Sequence, residues 1–149
     1  MSCDVTLAMI KPDAVMAGNS GRIMTAIEHS SLMILSMKIT RLSVAQAELF
    51  YSAHREKSFF PDLIAFMVSG RNIMLALQGN DAVNTWRNMI GHTNPSLAAE
   101  GTIRKLFGST IEQNAVHGAD SNQSAIRELG FFFGDIQLET VTGCPIKIS

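Results

Sequence analysis

His117 is the residue whose type and setting hold most chemistry. It stands between Val116 and Gly118, with Asp120 and Ser121 opening a helical pattern just after it. Histidine changes charge near neutrality, and in its neutral form the ring is a nucleophile. Taken alone, such a histidine is more often structural than catalytic. Lys11 stands where the first apolar run stops, at Lys11-Pro12-Asp13, a place from which a side chain can reach a cleft. Arg87 falls on a predicted helix face and Arg104 in a long irregular stretch. Each of these cations also reads as a solvated surface group. Thr93-Asn94-Pro95 and Asn114 read as turns, or as neutral hydrogen-bonding partners for the same cleft.

The common nucleotide and metal motifs are absent. There is no GxxxxGK[ST], and Gly18 to Gly21 has neither the spacing nor the setting of GxGxxG. HExxH and the EF-hand loop are missing too. His29, His54, His92 and His117 lie far apart with no partner four residues on, which argues against a metal held by the protein itself.

The elements that must position these residues follow from hydrophobic period. Residues 6–10 (TLAMI) form a short buried strand ended by Pro12, which removes a ladder donor and disfavours helix at Lys11. Ile23, Met24 and Ile27 predict a helix over 22–30, and the alternation from Ile34 to Leu42 predicts a strand. Ser43 is an N-cap for a helix over 44–54. A second helix starts near Phe60, with Pro61 in its first turn, and is closed by Ser69-Gly70. Residues 72–78 (NIMLALQ) form a buried strand, and Asn80 or Asp81 caps a helix running to Ile90. Residues 91–115 show no sustained period, and loops of that length inside compact domains are usually functional or disordered. A short final helix is predicted over 121–129, with a loosely structured arm over 130–149.

That order predicts an α+β fold: a ferredoxin-like double βαβ sandwich whose four-stranded antiparallel sheet is covered by helices. A doubly wound sheet is the competitor, but only about four strands are on offer.

At 149 residues the chain is one domain, 1–149. With 46% hydrophobic and 17% charged residues it can build a sizeable core. A mean hydropathy of +0.16 is high for a soluble monomer and fits extra apolar surface hidden in a homo-oligomer. The net charge of −1 lacks the basic excess of a nucleic-acid binder. Cys3 and Cys144 form no CxxC pair and read as incidental thiols. With no signal peptide and no apolar stretch long enough to cross a membrane, the expected compartment is the cytoplasm.

Asn114-Ala-Val-His117-Gly118-Ala-Asp120-Ser121 closely resembles the N-x-x-H-G-S-D-S signature of nucleoside diphosphate kinases. Met9-Ile10-Lys11-Pro12-Asp13, Phe59-Phe60, Gly91-His-Thr93-Asn94-Pro95 and Gly101-Thr102-Ile103-Arg104 fall in that family's order and approximate spacing. The resemblance covers nearly the whole chain, and some segments look more like bacterial members than animal ones. It implies a ping-pong transfer of the γ-phosphate of a nucleoside triphosphate, mainly ATP, to a nucleoside diphosphate. His117 matches the histidine that carries the phosphoryl group, and Glu128 the carboxylate that orients it. Lys11, Tyr51, Arg87, Thr93, Arg104 and Asn114 match residues at the phosphate and ribose end of the nucleotide. Phe59 matches the aromatic on which the base stacks, with Leu63 nearby; a stacking contact tolerates any base. The implied cofactor is Mg2+, carried on the nucleotide phosphates and met through water by Asp120. Relatives assemble as tetramers or hexamers built from dimers.

The chain departs from the family in four places. Ala119 stands where the signature has its first serine, which predicts a reduced rate without loss of activity. Arg71 replaces a proline, Lys105-Leu106 a frequent Gly-Asp, and Glu100 another proline near subunit contacts.

Overall fold

A computed structural model of the chain describes residues 4–134. Four antiparallel strands form its sheet: β1 (Asp4–Ile10), β2 (Met33–Thr40), β3 (Asn72–Gly79) and β4 (Val116–Gly118), in the order β2-β3-β1-β4. β1 pairs along its whole length with β3, and its last three residues pair with β4, so that Met9 lies opposite His117. The α+β, ferredoxin-like arrangement read from the sequence is the observed one.

β1 and β3 are buried on both faces because helices cover both sides of the sheet, which is why they read as continuous apolar runs without alternation. Successive side chains point to opposite faces. Leu7 and Met9 join Met74 and Ala76 in a core shared with Phe50 of α3 (Val44–Phe50), Met67 of α4 (Phe60–Met67) and Leu129 of α7 (Asn122–Phe133). Ala8 and Ile10 join Ile73 and Leu75 on the other side. There they meet Ile23 and Ile27 of α2 (Ser20–Glu28), Trp86 of α5 (Ala82–Ile90) and Ile103 of α6 (Ile103–Phe107). β2 is an edge strand, and Met33, Met37 and Ile39 remain exposed on it.

Helix starts follow local chemistry. The Ser43 hydroxyl accepts from Gln46 N at 3.1 Å while the Gln46 carboxamide oxygen accepts from Ser43 N at 2.9 Å, a reciprocal capping box. Ser121 caps α7 by accepting from Ser124 N. Of the two candidates for the start of α5, Asp81 takes the N-cap position, in a left-handed conformation (φ 49°).

Several boundaries differ from the sequence expectation. Pro12 does not merely end β1; it opens a one-turn helix α1 (Pro12–Met16), where its fixed φ suits a first helical residue. The stretch 91–115 holds a 3-10 turn (Pro95–Leu97) as well as α6, both too short to display a period. α3 stops at Phe50 and gives way to a 3-10 turn (Ser52–His54). α7 runs on to Phe133, so the first residues of the supposed C-terminal arm are helical, with Phe132 and Phe133 anchored in the core. The remainder of that arm, and both cysteines, lie outside the described residues. Among the described residues no helix is long and apolar enough to cross a membrane.

Gly91 closes α5 with φ +83° and ψ −170°, a region essentially restricted to glycine. A Cβ there would stand 2.6 Å from Thr102 Oγ1. Backbone strain and overpacking together should make Gly91→Ala cost about 2–4 kcal/mol. The measurement is a urea unfolding curve; a midpoint unchanged from the parent would contradict this account of the turn.

Candidate functional site

β1, β4, α3 and α7 converge around His117. Its Nε2 lies 2.9 Å from Oε1 of Glu128, which α7 carries two helical turns beyond its cap. Glu128 is buried, and in the neutral ring it accepts from Nε2–H, which puts the free lone pair on Nδ1. The ring is also wedged by aromatics: Phe50 and Tyr51 meet it edge-on, with centroids 5.3 and 6.0 Å away. Trp86 Nε1 donates to the His117 carbonyl at 3.1 Å, fixing the backbone beneath it.

The approach to β4 is a tight γ-turn. Ala115 has φ +72°, and Val116 N donates to Asn114 O across it at 2.9 Å. Turns of this kind are rare and strained, and a non-glycine residue in a positive-φ conformation costs of order 1–3 kcal/mol. The end of β1 holds it in place. Lys11 N donates to Ala115 O at 2.8 Å, and Ala115 N donates to Asp13 Oδ2 at 3.0 Å. The Asp13 carboxyl is raised above its ordinary range by burial, against the pull of the backbone N–H groups of Ala115 and Ala14.

This clamp sets the cations. Lys11 is buried, and its ammonium donates to Asn114 Oδ1 at 2.9 Å, while Asn114 Nδ2 donates to Thr93 O. Burial lowers its pKa to about 8; Arg104 acts in the same sense and Asp13 opposes. Arg104 donates to Gly91 O and Val116 O, each at 3.0 Å, and its Nε is buried without a partner. Burial, and then the charge of Arg87, brings its pKa down to about 10. The exposed Arg87 reaches Ala119 O at 3.5 Å.

A cavity of about 610 Å3 opens over His117 and Glu128. Lys11, Thr93, Arg104 and Asn114 line it, as do Tyr51, Phe59 and Leu63. A second cavity of about 330 Å3 is lined by Arg87 and His92 and shares Thr93, Arg104 and Gly118 with the first. The two therefore adjoin. Every site residue singled out from the sequence lines one or the other. Phe59 is exposed at the mouth, but the Tyr51 hydroxyl is turned to Met67 Sδ at 3.7 Å, so its ring, not its hydroxyl, meets His117. Burial and then Glu128 raise that phenol further above its ordinary range. Asp120 lines the cleft as an exposed carboxylate, held below the usual range chiefly by the Ser124 hydroxyl.

Sequence reasoning missed three participants. His54 lines the cleft with its ring 5.7 Å from Phe59; its place three residues after Tyr51 was the available signal. Asp13 holds the γ-turn; its place in the Lys11-Pro12-Asp13 motif was the signal, though no role was read from it. His92 lines the second cavity, and its neighbour Thr93 was the hint. Ala119 is buried, and Glu128 Oε2 is buried with no hydrogen-bond partner. Arg71, Glu100 and Leu106 are exposed.

Fold and site together define a ferredoxin-like domain with a carboxylate-oriented histidine at the head of a cation-lined cleft. Residues 4–138 match the family model described as Nucleoside diphosphate kinase. A nucleoside diphosphate kinase of Chlamydia trachomatis serovar D is 47% identical over 133 residues, 89% of this chain and 94% of that one. Among solved structures, the enzyme of Aquifex aeolicus superposes with a TM-score of 0.87 at 36% identity, covering 89% of this chain and 96% of that one. A halophilic enzyme from Halobacterium salinarum, solved in complex with CDP, gives a TM-score of 0.89 at 33% identity and covers 93% of both chains. The chain belongs to the nucleoside diphosphate kinase family, phosphotransferases that work by a ping-pong mechanism through a phosphohistidine.

An anion docking against Lys11 favours its ammonium form, so the complex has a higher Lys11 pKa than the free protein's value of about 8. Between those two values the free protein has lost the proton that the complex keeps. Affinity for ADP should therefore be flat below pH 8 and fall above it, approaching tenfold per pH unit. Calorimetric titrations across pH 7 to 10 test this; a Lys11→Met variant should lose that slope.

Proposed function

We propose that this chain moves the γ-phosphoryl group of a nucleoside triphosphate, mainly ATP, to a nucleoside diphosphate with His117 as the carrier. The observation that supports this most is the Nε2–Glu128 hydrogen bond, which in the neutral ring puts the free lone pair on Nδ1. In the first half-reaction the Nδ1 lone pair attacks the γ-phosphorus in line. The bond from that phosphorus to the β–γ bridging oxygen breaks, and its electron pair leaves on the diphosphate. In the second, a terminal oxygen of the acceptor diphosphate attacks the same phosphorus and the P–N bond returns its pair to Nδ1. Neither half needs a proton at Nδ1. Glu128 holds the ring and stabilises the positive charge that it carries while phosphorylated.

Lys11, Arg87 and Arg104 neutralise charge spreading over the phosphate oxygens, with Thr93 and Asn114 as neutral hydrogen-bonding partners. Phe59 and Leu63 take the base, Phe59 through its π-face, and Tyr51 packs the nucleotide against His117 by its ring. Magnesium enters as part of the substrate. Among the described residues no group of three or more His, Cys, Asp or Glu side chains could hold an ion, whereas the ionised Asp120 at the cleft suits one water-mediated contact to a phosphate-bound ion. The ion supplies charge neutralisation on the polyphosphate. The compartment in this reading is the cytoplasm.

The chain also assembles as a homo-oligomer, in this reading through dimers. The apolar residues Met33, Met37 and Ile39 on the unpaired edge of β2 support it, since a bare apolar edge strand is ordinarily covered. Sedimentation velocity at micromolar concentration should return a tetramer or hexamer; a monomer overturns this part.

The transfer itself is tested by incubation with magnesium and γ-labelled ATP, removal of free nucleotide, and a chase. The protein should hold an acid-labile, base-stable label that moves to GDP or CDP alike, and His117→Ala should take up none while still binding ATP. A folded parent protein that binds ATP but never becomes labelled would overturn the reading.

A further inference from the structure

His92 sits in the smaller cavity with Arg87, Thr93 and Arg104, and nothing so far gives it work. Its ring is not free to turn. Nδ1 accepts from Asn94 N at 2.9 Å, inside the turn whose Asn94 carboxamide oxygen in turn accepts from Ser96 N. A nitrogen that accepts carries no hydrogen, so the ring's N–H is on Nε2. The loop thus holds an imidazole with one donor left over, on the wall of a cavity that Arg87, Thr93 and Arg104 also line.

The charge balance of that cavity suits such a donor. Burial first, and then the like charge of Arg87, already depresses Arg104. Among the described residues neither makes a salt bridge to a carboxylate; the ion pair near the site is His117 with Glu128. A third cation would deepen the repulsion in the empty protein. A neutral N–H adds a hydrogen bond to an anion without that cost.

The geometry points to His92 as a further binding residue for the known reaction, donating from Nε2 to a terminal phosphate oxygen of the bound nucleotide. This rests on the reading of Arg87, Thr93 and Arg104 as phosphate ligands. The contact selects polyphosphates: a diphosphate or triphosphate reaches the cavity shared by the two arginines, and a monophosphate does not.

Two substitutions separate the two ring nitrogens. Asparagine puts an amide oxygen near the place of Nδ1, keeping the acceptor for Asn94 N and losing the distal donor. Glutamine reaches as far as Nε2 with an amide N–H and has no acceptor at the place of Nδ1. ADP and AMP binding would be measured for the parent, His92→Asn, His92→Gln and Arg87→Ala, with thermal midpoints as a record of folding. His92→Asn should bind ADP about tenfold more weakly and AMP within about twofold of the parent, while His92→Gln stays within about threefold for both. Parent-like ADP binding by His92→Asn, with Arg87→Ala weakened, removes His92 alone. The reverse order, His92→Gln impaired and His92→Asn not, makes His92 a strut of the loop and overturns the proposal. If Arg87→Ala also binds ADP like the parent, the phosphate reading of the cavity falls and the proposal falls with it.

Discussion

Three cations meet in one cleft, and neutral oxygens hold them. Lys11 is held by the Asn114 carboxamide, Arg104 by the carbonyls of Gly91 and Val116, and Arg87 by the carbonyl of Ala119. Dipoles orient a charge without cancelling it. Lys11 and Arg104 are also buried, so water screens them poorly and each loses affinity for its proton. The cleft thereby carries undischarged positive potential. A carboxylate side chain within the fold would have discharged it, because an internal ion pair would have to break before an anion could bind.

Keeping like charges together requires a stiff frame, and the sheet supplies it. β1 lies between β3 and β4, so the strand that ends at Lys11 also carries the pairing that sets His117 opposite Met9. The γ-turn at Ala115 stores strain that the backbone of Lys11 and the carboxylate of Asp13 hold in place. Behind His117, Trp86 ties down the backbone and Glu128 the ring. The nucleophile is positioned from two elements far apart in sequence, which is how a strained loop can present one nitrogen in one direction.

Ala119 shows where this frame is thinner. Glu128 Oε2 is buried without a partner, and Ala119, where the family signature carries a serine, brings no hydroxyl to the site. A carboxylate fixed through one oxygen orients its histidine less firmly than one fixed through both, a physical basis for expecting a slower enzyme that is still an enzyme.

Much was legible in the residues. Continuous apolar runs located β1 and β3, and apolar period located β2 and helices such as α2 and α4, because burying one face of an element leaves a repeat. The spaced motifs around Lys11, Thr93, Arg104 and His117 marked the site, since the chemistry needs those residue types in that order. Period could not reveal α1, α6 or the 3-10 turns, which are too short to repeat, nor the full reach of α7, whose Phe131 to Phe133 run lacks spacing. Sequence determined which side chains were available. Only the tertiary structure decided that Lys11 and Asn114, 103 positions apart, share a hydrogen bond, that Asp13 restrains Ala115, and that Tyr51 turns its hydroxyl toward Met67. These contacts cross between elements, and their energies depend on burial and distance, which a linear order of residues does not contain.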